Sequence, residues 1–186
     1  MFPYDPAILE AVQVKPQNIA DVFKTMQTID ATCVDEDGLK WFNWLYMTVT
    51  EAIENKVAGG GFNDPVWLSE LDVLFARLYF DAVAGELSGG SCPECWKAMH
   101  SGRDQVKIAR IQFALAGMNA HINHDLPMAI VSTCQATNTI PQHGTHNITI
   151  TPRSILRSML SSTKRSKSST SACSETGFQP CLTWKT

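Results

Sequence analysis

Three observations predict an all-α protein. Apolar residues recur at three- and four-residue steps through most of the first 140 positions, no segment alternates apolar and polar residues at period two, and the breaks carry glycines and helix-capping residues. The reading that follows is a single-domain bundle of about five helices over residues 17–143, preceded by an N-terminal arm at 1–16 and followed by a Ser/Thr-rich basic tail at 144–186 that is expected to be disordered.

The arm is punctuated by Pro3, Pro6 and Pro16. Ile19, Val22, Phe23, Met26 and Ile29 then mark the first amphipathic helix. Asp35-Glu-Asp37 places negative charge at the start of the second, whose apolar face is Trp41, Phe42, Leu45, Tyr46, Val49 and Ile53 and whose end is Gly59-Gly-Gly61. Asp64-Pro65 reads as an N-cap followed by proline at the first helical position, where the missing N–H costs nothing. The helix behind it, with Trp67, Leu68, Leu71, Leu74, Phe75, Leu78, Tyr79 and Val83, is apolar on more than one face and is expected at the centre, with Arg77 paired to Asp81. A short helix from Cys92 to about His100 and a last one from about Gln105 to Ser132, capped by Asp104, complete the bundle.

The near-neutral net charge of −3 hides two unlike segments. Residues 1–151 hold nine Lys/Arg against seventeen Asp/Glu, and residues 152–186 hold six against one. An acidic body gives no electrostatic footprint for nucleic acid, no apolar run reaches the ~18 residues that span a bilayer, and the six scattered cysteines do not form a secreted disulfide framework. A cytoplasmic protein with reduced thiols is the expectation. Cys92-Pro-Glu-Cys95 has the spacing of half a zinc site or a redox motif, but it lacks a second pair and the strand–helix context. Neither a phosphate-binding Gly-rich loop nor a Gly-x-Ser-x-Gly elbow occurs.

Chemistry is concentrated in the last helix, where His121, Asn119, Asn123, His124 and Asp125 interrupt an apolar run. Four residues apart on a helix, His121 and Asp125 share a face, as do Asn119 and Asn123 on a neighbouring strip, and Pro127 is expected to kink the chain just beyond. An imidazole and a carboxylate so placed can hold a divalent metal or move a proton. Zinc requires a third protein ligand, for which Asp81 is the first choice, followed by His124, His100 and His143. Asn119, Asn123, His124 and Gln112 are the supporting residues.

Gly117-Met-Asn-Ala-His-Ile-Asn-His-Asp-Leu126, with Gln112 upstream, resembles the signature of a family of mostly bacterial and fungal proteins known only as a domain of unknown function. Asp37-Gly-Leu-Lys-Trp-Phe-Asn-Trp-Leu-Tyr46, Phe75-Ala-Arg-Leu-Tyr-Phe-Asp-Ala82 and Trp96 extend the resemblance over roughly residues 17–143. It is expected to stop near His143–His146, as a shifted reading frame would make it do. More distantly, the His-x-x-x-Asp pair is similar to the helix-borne ligand pairs of zinc-dependent phospholipase C and P1-type nucleases, and this similarity reaches His121 and Asp125 alone. Three functions are therefore carried forward. The first is a metal-dependent hydrolase using zinc on a small-molecule substrate. The second is a non-catalytic helical protein that binds a ligand or partner, with the polar residues as a structural network. The third is a metal-free acid–base enzyme acting on a small metabolite.

Overall fold

A computed structural model of the chain describes residues 1–59 and 64–139. The helices are α1 (Asp5–Gln13), α2 (Ile19–Thr32), α3 (Gly38–Ala58), α4 (Pro65–Ser88), α5 (Glu94–His100), α6 (Arg110–Ala120) and α7 (Leu126–Ala136), with a single π-helical turn, His121–Asp125, joining the last two. No strand occurs among the described residues. No described helix is long and apolar enough to cross a membrane. The tail at 144–186 and His143 lie outside the described residues.

The starts follow from capping chemistry. Asn18 accepts from the Asp21 N–H, Asp37 from the Leu39 N–H and Asp64 from the Trp67 N–H, each satisfying a donor that the first turn leaves over. The last helix departs from expectation. Asp104 lies in the loop beside the N-terminal ammonium, 3.8 Å away, and α6 begins six residues later. There Gln112 turns its side-chain oxygen back to the Ala109 N–H at 2.9 Å, half of a capping box. Gln112, expected as a supporting site residue, is thus placed at the helix start.

The stretch assigned as an arm contains α1. Pro6 sits in its first turn, where proline is tolerated, and Ile8 and Val12 are buried against α4, worth on the order of 1.5–3 kcal/mol each. α4 is central as expected, packed on α1, α2, α5, α7 and the π turn, with Leu71 and Phe75 buried and Leu78 half-buried. Arg77 does not pair with Asp81. Its guanidinium caps the Pro16 carbonyl at 2.6 and 3.0 Å, closing the turn between α1 and α2. The aromatic residues divide: Trp67, Tyr79 and Phe80 are core, whereas Trp41 is half-buried beneath Arg110 and Trp44 is 50% exposed.

A buried ion cluster fixes α1, α3 and the α5–α6 loop to one another. Arg103 forms a two-pronged pair with Asp37, Nε at 2.9 Å from Oδ1 and Nη2 against Oδ2, and its Nη2 lies 2.9 Å from Asp5 Oδ1, an ion pair without hydrogen-bond alignment. The Gly38 N–H also donates to the Arg103 carbonyl at 2.8 Å, and the Tyr4 hydroxyl donates to Asp37.

Candidate functional site

α6 and α7 are one helix with an inserted residue. Pro127 has no N–H to offer the Asn123 carbonyl, and the Leu126 N–H reaches back five residues to the His121 carbonyl instead of four. The wide turn so formed carries His121, His124 and Asp125. Opposite it, Gly117 permits the close approach of α3, since a Cβ there would strike the Phe42 ring. This contact holds the π turn against the aromatic seam between α3 and α4.

Asp125 is the hub. Its carboxylate, 1% exposed, receives three donors: His121 Nδ1 at 2.9 Å on Oδ2, His124 Nδ1 at 2.8 Å on Oδ1, and the Trp96 indole N–H at 3.1 Å on Oδ2. A carboxylate only accepts, so each imidazole carries its proton on Nδ1 toward Asp125. The Nε2 of His121 is therefore a bare lone pair. It is buried and has no hydrogen-bond partner. Burial pushes the His121 pKa below the ordinary value and Asp125 opposes the shift, so the ring is neutral at physiological pH.

The walls around that ring are aromatic. Phe75 stacks face to face on the imidazole with centroids 3.5 Å apart, Tyr46 meets it edge-on at 4.4 Å, and Phe42, Trp96 and Tyr79 stand 5.6–6.2 Å away. His124, by contrast, has 39% of its side chain exposed, so the three residues form a line from solvent to the interior.

The expected site residues divide accordingly. His121, Asp125 and His124 come together. Asn119 and Asn123 bond each other at 2.8 Å on the exposed face of the helix, apart from these three. Asp81 does not join them: α4 presents Phe75 to His121, and Asp81, six residues on, is exposed. His100 is buried near Trp96 with both ring nitrogens unpartnered, its pKa lowered to about 4, first by burial and then by Arg103. Among the described residues no three His, Cys, Asp or Glu side chains form a group that could hold a metal ion. Cys92 and Cys95 are free thiols, with the Cys92 pKa pushed up to about 11, first by burial.

Two further buried polar side chains are not singled out by helical spacing. Trp96 was noted only within the resemblance, although its N–H fixes Asp125. Asp72 was not noted. It is 8% exposed on α4, its Oδ2 has no partner, and burial, followed by the neighbouring Glu54, raises its pKa to about 8. A carboxylate set in an apolar helical run, the criterion that singled out Asp125, would have found it.

Residues 19–168 match a family described as a family of unknown function. The chain belongs to that family, DUF5995. The match begins at the start of α2, leaving α1 outside it, and continues past residue 143, where the resemblance was expected to stop. No curated protein and no solved structure matches the chain.

Proposed function

We propose that this helical protein is an acid–base enzyme for a small metabolite, with His121 Nε2 as proton acceptor. The observation that carries the reading is the buried, unpartnered Nε2 on a ring whose other nitrogen is held by Asp125. A buried acceptor left unpaired costs on the order of 1–3 kcal/mol, a cost explained when a substrate proton is to be taken there. In the reaction, Nε2 takes a proton from a substrate C–H or O–H group. Asp125 stabilises the imidazolium that forms, and Trp96 and His124 hold Asp125 in place. Zinc requires three protein ligands besides its water. No such group stands at His121 among the described residues, which is why a metal-free reading comes first.

Nitrobenzisoxazole, a flat carbon acid that opens when a desolvated base removes its ring proton, is the probe. Wild-type protein should open it on the order of 100-fold faster than His121→Ala, with a rate that rises with pH through the lowered His121 pKa and is unchanged by chelator. Equal rates for the two proteins would defeat the reading. A second reading, that Asp125 is a structural hub, draws on its three donors. It would be supported if His121→Ala changed only the melting temperature.

A further inference from the structure

The α3–α4 seam continues beyond His121. Along α3, Phe42, Tyr46, Thr50 and Glu54 are spaced four apart, so that neighbouring members of the row share a face. Along α4, Asp72, Phe75 and Tyr79 do the same at three- and four-residue steps. The helices run in opposite directions along this seam, because Phe42 meets Tyr79 at 5.0 Å and Tyr46 meets Phe75 at 5.8 Å. The next rung, one turn or about 5.4 Å further, is Asp72 with Thr50 and Glu54. Asp72 thus lies one helical turn from the ring that stacks on His121.

Three buried polar atoms in this short seam lack hydrogen-bond partners: His121 Nε2, Asp72 Oδ2 and Glu54 Oε1. They differ in chemistry. His121 offers a lone pair. Asp72 is kept protonated at neutral pH, first by burial and then by the like charge of Glu54. Tyr46, whose ring meets that of His121 at 4.4 Å, has its hydroxyl pKa raised first by burial and then by Asp72 and Asp125. Opposite shifts in neighbouring groups are how acid and base roles are divided at one pH.

We infer that Asp72 is the catalytic acid that partners His121, and that the substrate is a small, flat, uncharged carbonyl compound lying in the aromatic seam between the two. The inference rests on the reading of His121 as base. His121 Nε2 takes the proton from the carbon next to the carbonyl, the C–H electron pair becomes the carbon–carbon π bond, and the carbonyl oxygen receives the Asp72 proton. The product of the step is an enol, with imidazolium at His121 and carboxylate at Asp72. In a substrate whose second double bond makes the enol a dienol, His121 gives its proton to the far carbon and the enol O–H returns its proton to Asp72. The double bond has then moved into conjugation with the re-formed carbonyl, which completes an isomerisation and restores both groups. The aromatic walls suit a flat molecule, and an anion would be repelled by Asp125 and Glu54.

The same probe separates the two residues, since its ring opening breaks the C–H and N–O bonds and leaves charge on an oxygen that an acid can protonate. Wild-type protein should give a bell-shaped pH profile, rising as His121 loses its proton and falling near pH 8 as Asp72 loses its own. Asp72→Asn, nearly the same shape, should be on the order of 100-fold slower and should lose the alkaline fall while keeping the acid limb. An alkaline fall retained in Asp72→Asn, or an unchanged rate, overturns the role of Asp72 and leaves His121 standing. A wild-type rate equal to that of His121→Ala overturns both. Carbon-13 spectra of labelled aspartate provide a check independent of the probe: an Asp72 carboxyl already ionised at pH 6 overturns the inference.

Discussion

The fold buries two carboxylate clusters and treats them in opposite ways. At Asp5–Arg103–Asp37 every charge has an opposite charge against it, the guanidinium geometry matches the carboxylate, and the cluster ties together segments far apart in the chain. At Asp125 the carboxylate is equally well supplied with donors, yet the ring it holds ends in an unpartnered nitrogen, and one turn away Asp72 is unpartnered as well. The first arrangement leaves no charge unopposed, even at Asp5 Oδ1, which has an ion pair but no hydrogen bond, and it has only the fold to maintain. The second has capacity left over, and leftover capacity in a buried place is what distinguishes a site from a clamp.

Breaking the clamp should have the largest effect. Arg103→Ala leaves two buried carboxylates without a counter-charge and should destabilise the fold by about 3–5 kcal/mol, read from urea unfolding. If the two clusters are independent, the His121 titration of the protein that remains folded should not change. A shift in that titration would mean that the contrast is false.

Acid should reveal the next effect. His100 is neutral in the folded state with a pKa near 4, against about 6.5 unfolded. The unfolded chain therefore takes up the proton first, so stability is full above about pH 6.5 and is lost as pH falls toward 4. At pH 5 the loss from this group is about 2 kcal/mol, and His121, shifted the same way, adds to it. His100→Leu should remove about that much of the stability difference between pH 7 and pH 5. An unaltered difference would show that His100 is not buried as described.

The smallest effect should come from Trp96→Phe. It removes one of three donors to Asp125 and should cost about 1 kcal/mol. Because Asp125 keeps both imidazoles, the fold should survive while the His121 ring loses definition, visible as broadened side-chain resonances. A variant with unbroadened resonances would show that Trp96 packs beside the site without positioning it.

Local spacing explains what the sequence disclosed. His121 and Asp125 are four apart on one helix, so their meeting was legible, and caps at Asn18, Asp37 and Asp64 placed three helix starts. Asp37 and Arg103 are 66 positions apart, and nothing near either residue announces the other. The choice of Asp81 over Asp72 failed for a related reason. Both acids are on α4, and only knowing that Phe75 faces His121 shows that the inward acid is three residues before it and not six after. α1 was missed because its three nearby prolines signal a break, although one of them stands where a helix accepts proline.

The inserted residue in the π turn also acts on the frame of everything beyond it. Gly117 and Ala129 both face inward, although twelve residues of unbroken α-helix would set them about 120° apart. One extra residue in the turn cancels most of that rotation. It thereby decides that Asp125 enters the interior and His124 stays at its edge. Were the same residues wound as unbroken α-helix, His124 would take the inward place and the far half of the helix would turn about 100° away from α4, so the identity of the buried acid is set by the width of one turn as much as by chemistry.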